Sequence, residues 1–209
     1  MARYTDAVCR LCRREVEKLF LKGPKCYTPK CAVTRRAFAP GQHGESRRQK
    51  LSNYGLQLRE KQKVKRIYGV LERQFRKYFA LASKSKGVTG RVLLQLLERR
   101  LDNVIFRMGL ASSRVQARQI VRHNFIYVNS HRTNIPSFLV DKDDIIELKA
   151  KEKALKKIKE NMELSKDRTV PAWLAFNANE IKANVLRLPE KEDSESAIQE
   201  QLIVELYSK

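Results

Sequence analysis

The sequence predicts a mainly α-helical protein with one small β-sheet, an α+β architecture of two lobes preceded by a cysteine knuckle. Three observations predict it. Apolar residues between Leu51 and Met108 recur at three- and four-residue steps, the helical period. The short stretches FIYVN and DDIIEL alternate apolar and polar residues, as strands do. The first 45 residues hold all four cysteines and too few apolar side chains to build a core unaided.

In chain order, residues 1–45 read as a cysteine knuckle and basic arm, 46–97 as a basic helical lobe, 98–160 as a helix-hairpin module, and 161–209 as a C-terminal segment. In the helical lobe, Leu51, Tyr54 and Leu58, then Val64, Ile67, Leu71, Phe75, Tyr78 and Ala82, mark one buried stripe, which Gly69 breaks into two helices. Gly87 and Gly90 mark the next turn. A third helix carries Leu93, Leu94, Leu97, Leu101, Val104, Ile105 and Met108 before Gly109. Ser112 or Ser113 caps a following helix that runs to about His123, with Val115, Ile120 and Val121 facing inward. A hairpin turns at Asn129-Ser130, and DDIIEL adds another strand. In the C-terminal segment, Trp173, Phe176, Val185, Leu186, Leu202, Val204 and Leu206 need a core, and the helical lobe is the expected one.

Charge narrows the partners. Forty-four Lys and Arg face 23 acids, a net charge of +21 with a pI near 10.1. The first hundred residues hold an excess of 19 bases, whereas residues 151–209 are balanced at 11 and 11. A field of that strength attracts polyanions through counterion release, so nucleic acid is the expected partner. The chain has no 18-residue apolar run and no signal-peptide h-region, which predicts a cytoplasmic protein without a membrane partner. Nor does it carry a motif for a small-molecule substrate.

Cys9 and Cys12 are separated by two residues, Cys26 and Cys31 by four, and the two pairs by thirteen. In a reducing compartment such a cluster binds metal more readily than it forms disulfides. The spacing fits one closed tetrathiolate zinc site, and an iron-sulfur cluster takes the same four ligands. His43, in the loop APGQHG, is an alternative ligand but is better suited to a phosphate. Arg114, Arg118 and Arg122 fall one helical turn apart, with Gln119 beside them. Across the helical lobe Arg59, Lys61, Lys63, Arg66 and Arg73 form a basic face, and only Glu60 and Glu72 lie between residues 51 and 90 to pair with it. Tyr4, Tyr27, Tyr54 and Tyr68 are candidates for stacking on unpaired bases.

The string RLDNVIFRMGL-SSR-QARQIVRH-YVN resembles a small helix-hairpin RNA-binding module found in ribosomal proteins, pseudouridine synthases and some tRNA synthetases. The cysteine knuckle, RRAFAPGQHG, NYGLQLREKQKVKRIYGVLERQF, PAWLAFN, VLRLP and the closing EQ-LIVELYS extend the resemblance over nearly the whole chain. Together they are similar to the family of the fourth protein of the bacterial small ribosomal subunit. The resemblance implies a primary binder of the 5′ domain of 16S rRNA that nucleates assembly of the subunit body, contributes to translational accuracy and abuts neighbouring small-subunit proteins. It implies Cys9, Cys12, Cys26 and Cys31 as the metal site. It also implies an RNA surface drawn from Arg3, Arg10, Arg13, Arg14, Arg35, Arg36, His43, Arg47, Arg48, Tyr54, the basic face above, Ser113, Arg114, Gln116, Arg118, Gln119, Arg122, His123 and Asn129. The turn at Asn129-Ser130 departs from the glycines expected there.

Two other readings share the module. The triplet Arg100-Leu101-Asp102 also occurs in pseudouridine synthases, where the aspartate is the nucleophile, but about fifty residues remain after Glu160, too few for a catalytic domain. A translation repressor or RNA chaperone would use the same binding face.

Overall fold

A computed structural model describes residues 4–45, 51–165, 168–194 and 198–208. Its α-helices, in chain order, are α1 Cys9–Glu15, α2 Ala32–Arg35, α3 Asn53–Ile67, α4 Glu72–Lys84, α5 Thr89–Glu98, α6 Leu101–Arg107, α7 Arg114–Arg122, α8 Glu152–Leu164 and α9 Glu200–Tyr207. The strands are β1 Ile126–Val128, β2 His131–Arg132, β3 Ile145–Leu148, β4 Leu174–Asn177 and β5 Lys182–Val185. The chain divides into two units: residues 1–93 with 196–209, and residues 94–195.

The first unit is helical. Ser52 caps α3 by accepting a hydrogen bond from the Gly55 N–H at 3.2 Å. At the other end Gly69 takes φ +62°, while its N–H reaches the Arg66 carbonyl and the Val70 N–H reaches the Lys65 carbonyl. That pairing is a Schellman stop, and it needs a residue that tolerates the left-handed conformation. Phe75, Tyr78 and Ala82 form the buried face of α4. The C-terminal helix α9 packs along α3: Gln57 donates to Glu205 at 2.9 Å, and Glu60 accepts the Gln199 N–H at 2.9 Å. Ile203 is fully buried, and the Tyr207 ring stacks on Phe79 with centroids 4.4 Å apart. Gly90 permits this approach, since a Cβ there would stand 2.5 Å from the Glu200 Cγ.

In the second unit the single helix expected from Leu93 to Met108 is two, α5 and α6. Arg100 is extended (ψ 133°) and bridges to Leu139. The Leu101 N–H donates to the Phe138 carbonyl at 2.8 Å, and the Val140 N–H to the Arg99 carbonyl at 3.0 Å. Backbone groups that a continuous helix would satisfy locally are satisfied instead by a segment some forty residues downstream. Arg107 joins the two helices through paired hydrogen bonds to the buried Glu98 at 3.1 and 2.8 Å.

The sheet runs β2-β1-β3-β5-β4, antiparallel throughout. The hairpin, β3 and the cap at Ser113 follow the sequence reading. Asn129 and Ser130 have φ of 49° and 67°, so the turn needs no glycine: both residues are left-handed, as a two-residue hairpin of the mirror-image type requires. The C-terminal segment corrects the expectation that it returns whole to the helical lobe. Trp173, Leu174 and Val185 are buried in the same core as Leu101, Val104, Ile126 and Ile146, and Phe176 packs against that core. The reason is the open edge of β3, whose unpaired backbone groups β5 satisfies in the registers Ile145↔Asn184 and Ile146↔Ala183. Only the last stretch, α9, joins the helical unit. Val115, expected to face inward, is 49% exposed, because the buried residues of α7 are Ala117, Ile120 and Val121.

Candidate nucleic-acid interface and thiol cluster

In the second unit, α7 carries the cationic row. Its N-terminus is doubly secured: the Gln116 N–H bonds the Ser113 hydroxyl at 3.3 Å, and the Gln116 side-chain oxygen accepts from the Ser112 N–H and hydroxyl at 2.7 and 2.6 Å. Arg114 is held by Asn103 at 2.8 Å, with its guanidinium over the Phe106 ring at 4.4 Å. Arg118 is half-buried and donates to Asp102 at 3.2 Å. Burial lowers the Arg118 pKa, and the Asp102 carboxylate acts in the opposite direction. Asp102 is itself gripped by the buried Arg100 through bonds of 3.0 and 2.6 Å, a bidentate arrangement. Gln119, Arg122 and His123 stand exposed beyond these pinned arginines. Asn129, one of the expected RNA contacts, spends its amide internally: it donates to Asp144 at 2.7 Å and accepts the Ile145 N–H at 2.9 Å.

In the first unit much of the expected basic face of α3 is already neutralised. The Glu15 side chain is almost wholly buried, and both Arg66 and Arg59 pair with it, the latter at 3.3 Å. Burial pushes the Glu15 carboxyl up despite those two guanidinium groups. Lys63 pairs with Glu60 at 3.0 Å and Glu17 at 3.4 Å. Lys61 is only 9% exposed: its ammonium lies 3.1 Å from Glu72 and 5.4 Å from the centre of the Tyr207 ring. The expectation that Lys61 faces phosphate is therefore corrected, because its charge is used inside the lobe. Glu72 also accepts from Lys65 at 2.7 Å and from the Tyr207 hydroxyl at 2.9 Å. Burial is the largest single influence on the Glu72 carboxyl and raises its pKa, but the three donors together outweigh it and hold it at about 2. Tyr207 is pushed up from its ordinary value by burial and by the same carboxylate.

Arg10, Arg14, Arg35, Arg36, His43, Tyr54 and Arg73 lie on the surface. Arg13 is tied to the backbone, donating to the Phe38 carbonyl at 3.0 Å, with its guanidinium over the Phe38 ring. Tyr68 is buried and unavailable for base stacking. Arg3, Arg47 and Arg48 lie outside the described residues. Sequence reading missed Glu15, Glu17 and Tyr207 as partners of the basic face, since each is distant along the chain and only folding brings it near.

The four cysteines come together. Cys12, Cys26 and Cys31 are buried, Cys9 is half-buried, and none is bridged. All four line one small cavity with the apolar side chains of Val8, Leu21, Ala32 and Val33. One backbone N–H points at sulfur: that of Lys22 lies 3.4 Å from the Cys26 Sγ. Burial raises the Cys12 and Cys26 thiol pKa values. Among the described residues no group of three or more His, Cys, Asp or Glu side chains is placed to hold a metal ion. The donor set suits a soft metal, since it is all sulfur with no carboxylate in the cavity lining, but the sulfurs do not form a closed ligand shell.

Residues 3–98 match the family described as ribosomal protein S4/S9 N-terminal domain, and residues 99–146 match the S4 domain. The chain is 61% identical to the small ribosomal subunit protein uS4 of Thermodesulfovibrio yellowstonii, with both chains covered in full. It is 58% identical to the proteins of the same name from Pelotomaculum thermopropionicum and Acetivibrio thermocellus, again over the full length of each.

Proposed function

Because this chain belongs to the uS4 family of small ribosomal subunit proteins, we infer that it is a structural constituent of the small subunit, binding the subunit's rRNA and sitting among neighbouring ribosomal proteins in the cytoplasmic ribosome. The observation that carries the RNA-binding reading is the surface of α7. Arg114 and Arg118 are immobilised by Asn103 and Asp102, and beside them Gln119 and Arg122 are exposed, as is His123, whose ring stacks on Phe125. Arg118, whose charge Asp102 takes up at 3.2 Å, fixes the helix in place, and Arg122, exposed one turn further on, is presented to phosphate. Paired regions are recognised by backbone and shape, because the deep, narrow A-form major groove keeps side chains from its base edges. The binding nucleates assembly of the subunit body on the 5′ domain of 16S rRNA and contributes to decoding accuracy.

The role is structural rather than enzymatic. Asp102, the residue a pseudouridine synthase would use as nucleophile, is enclosed between Arg100 and Arg118. We further propose that Cys9, Cys12, Cys26 and Cys31 hold one structural zinc, which would tie together residues 1–45, a segment with little core of its own. The convergence of four thiols on one cavity, with the Lys22 N–H bonded to the Cys26 sulfur, supports this reading.

Gradient fractionation of a native lysate tests the ribosomal role. The protein is expected to migrate with the small subunit and with its assembly intermediates. A predominantly free pool that carries uridine-modifying activity would overturn the reading.

A further inference from the structure

Phe20 and Tyr27 stack with ring centroids 4.9 Å apart and planes inclined by 29°. Aromatic pairs of this size are normally driven into a core. These rings remain 37% and 60% exposed. Phe20 sits at φ +49°, a left-handed conformation that bulky residues seldom adopt. The backbone around it is anchored: Leu19 is buried, and the Lys22 N–H reaches the Cys26 Sγ. The fold thus spends backbone strain to hold an aromatic surface outward on a fixed turn, a combination that clusters at ligand-binding positions.

The surrounding charge selects the ligand. No acid occurs between Glu17 and Glu45, and Lys18, Lys22, Lys25 and Lys30 are all exposed. An apolar protein patch would meet the rings without needing four exposed lysines on the same short stretch of chain. A nucleobase offers a flat π-face to the rings and carries phosphates on either side for the lysines. We propose that the Phe20–Tyr27 pair is a stacking platform for one unpaired nucleobase of the bound RNA, with the flanking phosphates held by these lysines. The proposal rests on the RNA-binding reading above and adds a site to it.

The experiment uses the full-length protein and a transcript of the 5′ domain of small-subunit rRNA. Tyr27→Leu is expected to weaken binding roughly five- to 150-fold, the range for loss of one base–aromatic stack. The salt dependence should stay at the wild-type slope, because no phosphate contact is removed. Tyr27→Trp should restore most of the affinity, and ultraviolet irradiation of the wild-type complex should join a nucleotide covalently to Phe20 or Tyr27. Failure of the wild-type protein to bind the transcript would overturn the RNA-binding reading itself. Normal wild-type binding, with equal binding by a Phe20→Leu, Tyr27→Leu double variant and no adduct, would overturn the platform alone. A variant that binds the transcript normally but is lost from assembled subunits would give the rings to a protein neighbour and also overturn it. Should Tyr27→Leu unsettle the arm, as read by its far-ultraviolet dichroism, the adduct decides, and its absence refutes the proposal.

Discussion

Lys61 and Arg122 are both cations on helices of a strongly basic protein, yet the structure assigns them opposite roles, and removing each charge separates the two. Lys61 is 9% exposed, 3.1 Å from Glu72. Lys61→Met keeps the length of the side chain and deletes one charged hydrogen bond. Glu72 keeps Lys65 at 2.7 Å and Tyr207 at 2.9 Å, so the loss falls within the range for a single bond to a charged group, about 1.5–3 kcal/mol. Arg122 is exposed at the end of α7, so Arg122→Gln should cost no more than about 0.5 kcal/mol of stability. RNA affinity should behave in the reverse way. Each lost phosphate contact lowers the slope of log K against log salt by about one unit, so Arg122→Gln should flatten the slope and Lys61→Met should leave it unchanged. Urea unfolding followed by circular dichroism, and filter binding of the rRNA transcript over a salt series, measure the two effects on the same preparations. A Lys61→Met protein with an unchanged unfolding midpoint and a slope lower by one would refute the argument.

Three further outcomes are expected. Glu72 has its pKa depressed from 4.5 to about 2, so its contribution to stability is fully present above about pH 4.5 and is lost as the pH falls toward 2. Discounted for partial exposure of the carboxylate, this amounts to about 1–2 kcal/mol; Glu72→Gln should remove that part of the acid dependence, and a variant that retains it would count against the assignment. Asp102→Asn removes the carboxylate that the buried Arg100 and the half-buried Arg118 share and should destabilise the second unit by about 3–5 kcal/mol, while removing no pseudouridine from cellular RNA; a specific missing pseudouridine would revive the enzymatic reading. Metal analysis of freshly purified protein should find one zinc per chain and no visible absorbance, and Cys26→Ser should release the zinc and unfold the arm while the helical signal of the rest persists. Iron with sulfide would replace zinc by a cluster, and two disulfides without metal would overturn both.

What could be read from the sequence is what short-range physics decides. The end of α3 follows from Gly69, whose partners lie within five residues, whereas its start at Ser52 came from the structure. The cap of α7 follows from Ser113, and the hairpin from a run of alternating residues around a tight turn. Net charge and the spacing of four cysteines likewise need no fold, and together with the resemblance of the motifs they pointed to rRNA. Other features depended on residues far apart in the chain. The break at Arg99-Arg100 exists because residues 136–140 supply hydrogen bonds to it, and nothing in the local leucine pattern signals their approach. Strands β4 and β5 are four residues each and acquire meaning only beside the open edge of β3. The α3 cations are equally ambiguous in sequence: Arg59, Lys61 and Arg66 read as an uncompensated basic face until α1 brings Glu15 to it and the start of α4 brings Glu72. Net charge is a sum over the chain, but whether a given cation is free to meet phosphate is set by the distance to its nearest carboxylate, and that distance exists only in the folded molecule.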